Sequence, residues 1–464
     1  MDSLKAMTAR ADALKAAGNI DLALDTYEAA ARAYPDNAIA LHNLAACLGD
    51  AGQHTRSAQT AQKAMTLGLA APETQLVLAR ALMNTGDNEG ALAAFDNALI
   101  ARPGMIPAQL ERAQLVWMLT ADIEHSLEVL QKAIAAQPNI LGFYYVKAKA
   151  LEFMGRVSDA CEAMDQLLRR APGDVFARGY AAHLHAMAGR AEKSRELAAA
   201  AWADAPDDAG AIEAMVCACL ACGDAAKASE LVEQLLVKQP DNQLAIALRA
   251  TAWRLLGDAR YEELYDFETM VSCYTLDIPA GWSSLDGYLA DLAVELKEVH
   301  PFLSHPFGQS VRHGSQRPDV LLTPTPAIQS FREALAGPVA AHLEHLGCGQ
   351  GPLRARNSGR WRIQGAWSVW LRPGGFHANH VHSQGWLSSA CYIEVPGRTL
   401  GDGKEGWLKF GEPGVPAEPA LPYQHAIQPK SGMLALFPSY MWHGTIPFGG
   451  DEPRLTVALD IVPA

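Results

Sequence analysis

Glycine recurs through the first half of the chain with a period that few folds permit. Gly18, Gly52, Gly86, Gly155, Gly189, Gly223 and Gly257 are spaced by 34 residues or by multiples of about that. Pro35, Pro103, Pro138, Pro172, Pro206 and Pro240 echo the same beat, with one slip of a single residue near 120, where Thr120 stands in for the glycine. A glycine after one helical stretch and a proline after the next read as the ends of two successive helices, because glycine takes the left-handed cap conformation and proline stops a helix. Ala23 and Ala30, Ala91 and Ala98, Ala160 and Ala228 recur at fixed offsets from the glycines and let paired helices approach closely. One helix pair cannot bury its apolar face alone, so pairs at this period are expected to stack into a solenoid with a long concave surface.

Units such as AGNIDLALDTYEAAARAYPDN and TGDNEGALAAFDNALIARP resemble the tetratricopeptide repeat (TPR) in length, glycine, alanines and terminal proline, over roughly residues 3–265. The resemblance implies a concave surface that holds a protein or peptide; a spacer or a dimer contact is the plainer alternative. After Gly257 the repeat stops and the composition changes, with Trp282, Trp361, Trp367, Trp370, Trp386, Trp407 and Trp442 all in the last part of the chain. Helical stretches persist around 284–299 and 326–346. WSVWLRPGG, WLSSACYIEVPG, GWLKFGEPG, GMLALFPS and RLTVALDIV then read as short strands separated by glycine and proline, which points to a barrel or a two-sheet jelly roll. The expected architecture is a multidomain α and β chain: an all-α TPR-like solenoid over 1–266, then a double-stranded β-helix (jelly-roll) domain with flanking helices over 267–464.

Composition bounds the partners. Hydrophobic residues make up 49% and charged residues 19% of the 464, as in a globular protein. The formal net charge of −13 supplies no global field for nucleic acid or an anionic membrane. No apolar run of about 20 residues could span a bilayer, the N-terminal MDSLKAMTARADALKAAG lacks the pattern of an export signal, and eight scattered cysteines suit reduced thiols. The cytoplasm is the expected location. Cys217, Cys219 and Cys222 are close enough for a soft-metal site, against the alternative of small packing residues in an alanine-rich helix.

Five histidines gather in the last hundred residues: His377, His380, His382, His425 and His443. In extended chain, His380 and His382 point to one face and can share a metal. His443, in PSYMWHGTIPF, supplies a third imidazole if a closed β-fold brings it near, and Arg454 opens the final strand with Thr456 on the same face.

That order is similar to the Fe(II)- and 2-oxoglutarate-dependent oxygenases, whose jelly roll carries His-x-Asp/Glu, a distal His and then Arg-x-Ser/Thr. With RHGSQ at 312–316 and IQPKSGMLALFPSYMWHGTIPF, residues 300–464 resemble a bacterial and phage subfamily of these enzymes. The resemblance implies Fe(II) and 2-oxoglutarate as cofactors, His380 as first iron ligand, His443 as distal ligand, and Arg454 with Thr456 as the anchor for the far carboxylate of 2-oxoglutarate. It further implies a dioxygenase that hydroxylates a C–H bond while 2-oxoglutarate becomes succinate and carbon dioxide. One departure is His382, where most of the superfamily has a carboxylate. Either a third neutral imidazole binds the metal, or His382 stands back and water or a carboxylate such as Asp402 or Asp460 takes the position.

Around this centre, Tyr392 is a candidate for the oxo-acid or for core packing. Arg312, Gln316, Trp370, Arg372 and His425 are candidate substrate contacts, Trp370 and Arg372 flanking the mouth by strand position. His377 reads as a turn histidine, and the repeat histidines, His183 among them, carry no chemistry arguable from sequence. The expected function is an oxygenase acting on a protein or peptide selected by the solenoid. The alternatives are a TPR scaffold with an inactive barrel and a three-histidine cupin-type enzyme that uses no 2-oxoglutarate.

Overall fold

Seven glycines of the 34-residue beat, from Gly18 to Gly257, take positive φ between 66° and 88°, each at the turn between two helices. The computed structural model describes residues 3–464, and its first part is fifteen helices, from Leu4–Ala16 to Gln243–Leu256. Where the beat slips, Ala121 takes the left-handed conformation with φ 54°, so the turn geometry persists without its glycine. The recurrent alanines lie where the helices meet: Ala23, Ala30, Ala91, Ala98, Ala160 and Ala228 are all buried. Asp side chains cap several helix starts, Asp174 accepting from Ala177 N at 2.9 Å and Asp208 from Ala211 N at 2.8 Å, which satisfies donors that the helix itself leaves open.

The chain divides into two compact units, one running up to Trp117 together with Asp122–Ala150, the other made of Met118–Ala121 with Leu151–Ala464. Within the second unit the later repeats and the β-region are continuous. Arg254 on the last repeat helix donates to the carbonyls of Gly411 and Pro422 at 2.8 and 2.9 Å, and Trp442 Nε1 donates to Thr251 Oγ1 at 2.9 Å.

The β-region begins with strand β1 (Ser272–Thr275), followed by β2 (Val311–Pro318), β3 (Trp361–His377), β4 (Leu387–Glu394), β5 (Leu408–Phe410), β6 (His425–Ile427), β7 (Met433–Pro438), β8 (His443–Thr445) and β9 (Arg454–Pro463). They form a six-stranded sheet in the order β1-β7-β4-β9-β3-β2 and a three-stranded sheet in the order β6-β5-β8, all pairs antiparallel, an arrangement consistent with a jelly roll. Helices Leu285–Glu298 and Pro326–Leu346 flank the larger sheet, where the sequence placed helical stretches.

Strand β9 shows how one sheet serves two purposes. Leu455, Val457, Leu459 and Ile461 are fully or almost fully buried, while the alternate residues Arg454, Thr456, Ala458 and Asp460 line a cleft. A period-2 strand puts these two sets on opposite faces. All eight cysteines are free thiols. No helix among the described residues is long and apolar enough to cross a membrane.

Candidate metal centre

His380 and His443 meet through their backbones before their rings do. His380 N donates to His443 O at 2.9 Å and His443 N returns the bond at 3.1 Å, an antiparallel bridge between the segment after β3 and the start of β8. His382 is held by its own N–H on Ser439 O at 3.0 Å. Gly444 lets the two segments close up, since a Cβ there would lie 2.9 Å from the His377 carbonyl oxygen.

The rings of His380, His382 and His443 converge, with centroids 4.2, 5.0 and 5.2 Å apart. They form the one group of three potential metal-ligating side chains among the described residues, with ligand atoms all within 4.8 Å of one another. Each ring has its Nδ1 facing an acceptor. His380 Nδ1 donates to Ala378 O at 2.8 Å, His443 Nδ1 to Met441 O at 2.9 Å, and His382 Nδ1 to Asp460 Oδ1 at 2.5 Å. In a neutral imidazole a proton on Nδ1 leaves a lone pair on Nε2. Burial, and then the neighbouring His382 ring, pushes His380 down to about 3, and burial holds His443 well below the ordinary histidine range, so both are neutral. His380 Nε2 and His382 Nε2 lie 3.1 Å apart. A proton or a metal ion shared between the two nitrogens satisfies that distance, and three imidazoles converging with their Nδ1 atoms turned to acceptors fit a divalent transition metal. Cys217, Cys219 and Cys222, by contrast, form no such group.

The same cleft, about 490 Å³ in volume, contains Arg454, Thr456 and Tyr392. Arg454 is 2% exposed. One terminal nitrogen donates to Gly406 O at 2.7 Å and the other to Thr445 Oγ1 at 3.0 Å, Nε has no partner, and no carboxylate pairs with the guanidinium among the described residues. A buried, uncompensated cation with an unmet N–H is a fitting receptor for an anionic ligand. Tyr392 pairs with Thr456 across β4 and β9, and burial raises its phenol to about 12.

The remaining candidates separate. Arg312 and Gln316 line the cleft, Arg312 donating to Gln309 O and Val311 O at 2.7 and 2.8 Å. Trp370 and Arg372 do not flank its mouth. The alternation that brings Val369 and Trp367 into the cleft turns Trp370 to the other face of the sheet, where it meets His300 edge-on at 6.0 Å, and exposed Arg372 reaches toward Phe302 O. His425 is stacked on Phe267 at 5.3 Å, outside the cleft lining. Asp402 is exposed in a loop, and Asp460 stands behind His382 rather than among the converging Nε2 atoms.

Several further residues line the cleft. His377 ends β3 instead of sitting in a turn, and Ser310 Oγ lies 2.9 Å from His377 Nδ1 and 3.2 Å from His380 Nε2. Glu152, Phe153, His183 and Met187, from repeat helices in the same unit as the β-region, form another wall. Glu152 accepts from Tyr180 at 2.6 Å and pairs with His183 at 3.1 Å. No local pattern connects these positions to histidines some two hundred residues away.

Two family models match parts of this chain. Residues 365–460 match the family model described as "Putative 2OG-Fe(II) oxygenase", and residues 8–70 and 76–139 match a tetratricopeptide repeat model. No match was found among curated proteins. Similar solved structures include a TPR protein from Parabacteroides merdae, with 16% identity over 54% of this chain and 98% of that one and a TM-score of 0.38. A thermophilic TPR protein from Thermus thermophilus shares 22% identity over 39% of this chain and 98% of that one, with a TM-score of 0.32. YrrB, described as a TPR protein with an unusual peptide-binding site, shares 20% identity over 40% of this chain and 96% of that one, with a TM-score of 0.27. The chain carries tetratricopeptide repeats at its N-terminus and, at its C-terminus, a domain that matches the 2-oxoglutarate–Fe(II) oxygenase family.

Proposed function

We propose that this protein is an Fe(II)- and 2-oxoglutarate-dependent oxygenase that hydroxylates a protein or peptide segment held by its repeats. The observation that carries the reading is the coincidence, in one cleft, of three converging imidazoles and a buried guanidinium without a counter-charge. His380, His382 and His443 would hold the metal. Arg454 would grip the far carboxylate of 2-oxoglutarate through paired N–H donors, with the Thr456 hydroxyl beside it, and Tyr392 stays protonated as a neutral neighbour. With these groups bound, oxygen is consumed as 2-oxoglutarate becomes succinate and carbon dioxide and a substrate C–H becomes C–OH.

The protein or peptide class is supported by the wall that Glu152, Phe153, His183 and Met187 give to the cleft, because a substrate reaching the histidines there touches repeat residues as well. We place the functional boundary between 266 and 267, after the last repeat and before β1, and assign the protein to the cytoplasm, where eight free thiols stay reduced. Purified protein supplied with Fe(II) should convert 2-oxoglutarate to succinate, and His380→Ala, His443→Ala and Arg454→Ala should each abolish the conversion; turnover persisting in all three sinks the assignment. An all-histidine donor set also favours a three-histidine dioxygenase that uses no 2-oxoglutarate. That reading prevails if metal-dependent oxygen uptake on another substrate survives Arg454→Ala while the oxo-acid is neither bound nor consumed.

A further inference from the structure

Asp460 lies on β9 with its carboxylate behind the His382 ring. Its Oδ1 accepts from His382 Nδ1 at 2.5 Å and from Ser388 Oγ at 2.9 Å, and Ser388 is itself 2.9 Å from Ser439 Oγ. The residue is 5% exposed and has no Lys or Arg partner among the described residues. The other two converging histidines present Nδ1 to backbone carbonyls, Ala378 O and Met441 O, which carry no charge. His382 alone leans on an anion. Trp367 meets the same ring edge-on at 5.9 Å, which fixes its orientation from a second side.

We infer that Asp460 is the positioning residue of the metal centre, supplying from behind His382 the negative charge that a carboxylate ligand at position 382 would supply directly. The inference rests on the three histidines holding a metal, as proposed above. A carboxylate that accepts the Nδ1 proton makes Nε2 a stronger donor and locks the tautomer with its lone pair facing the ion, and the loss of such partners typically weakens metal affinity about 10–100-fold. The charge missing from the histidine is thereby moved one hydrogen bond outward.

Co(II) affinity of the full chain, measured by competition with a chromophoric chelator, tests this without reference to turnover. Asp460→Asn keeps the shape and an acceptor but removes the charge, and should bind Co(II) about 10–100-fold more weakly than the wild type. In a His382→Asp background, where a carboxylate already stands at position 382, Asp460→Asn should no longer weaken binding. A folded Asp460→Asn chain that binds Co(II) within about threefold of the wild type overturns the inference and leaves the oxygenase reading standing. The same weakening in both backgrounds also overturns it. Failure of the wild type to bind Co(II) at all removes the reading beneath it instead. If Asp460→Asn does not fold, the Zn(II)-loaded wild type decides: the His382 Nδ1 proton should resonate furthest downfield of the three ligand imidazoles, and an unshifted one overturns the proposal.

Discussion

Arg454 is buried, donates to an uncharged carbonyl and a hydroxyl, and keeps one N–H unmet. Such a residue is costly to the fold unless a ligand answers it. Arg454→Lys keeps the charge but cannot present a fork, so the KM for 2-oxoglutarate should rise at least about tenfold, the equivalent of roughly 1.4 kcal/mol, in a succinate assay. His300 offers a separate test of pH dependence. It lies between Ser315 Oγ and Ser368 Oγ, both at 2.8 Å, and burial lowers it to about 4. The unfolded chain takes up a proton near pH 6.5 and the folded chain only near 4, so its stabilising contribution is present above pH 6.5 and is lost as pH falls through that window. Chemical denaturation from about pH 7 to about pH 4 should show the slope, and His300→Gln should reduce it by one group's share, since His305 and His342, also lowered by burial to about 4, keep theirs. That His380, His382, His443 and Arg454 would share a cleft was legible only through the resemblance to a family that carries histidines and an arginine in this order. The position of Asp460 behind a ring was not, since it depends on how β9 lies against the turn after His380.

Elements were legible where their periodicity is long. The repeat helices and the five apolar strand segments stand close to where their patterns put them, whereas β2, β6 and β8 did not announce themselves: VRHGSQRP is largely polar, and HAI and HGT have three residues each. Period 2 also shows alternation without telling which set faces the cleft, which is why Trp370 and Arg372 were assigned to the mouth and Val369 was not. At the slip in the repeat, Ala121 occupies a conformation that suits glycine, with φ 54°. Ala121→Gly should therefore stabilise the protein by about 1 kcal/mol, read as a higher denaturation midpoint, because the left-handed region costs a β-carbon about that much.

On the scale of the molecule, the segment that carries His443 is moored to the last repeat. Trp442 Nε1 donates to Thr251 Oγ1 at 2.9 Å, Trp442 N donates to Tyr265 Oη at 3.0 Å, and Tyr261 donates to Gln424. Thr251→Val would leave the buried indole N–H without an acceptor, at a cost of about 1–3 kcal/mol. The expected outcome is a lower unfolding midpoint together with weaker Co(II) retention, since Trp442 adjoins His443. Unchanged Co(II) affinity in a measurably destabilised Thr251→Val chain would show that the mooring does not reach His443.

That mooring limits how such a protein can be recombined. A β-region whose His443 neighbours an indole pinned by Thr251 is not an interchangeable cassette. Grafting it onto a foreign repeat array would succeed only if the acceptor segment also reproduced Thr251, Arg254 and the tyrosine pair Tyr261 and Tyr265, so lineages that exchange their repeats should do so upstream of this segment and leave it in place.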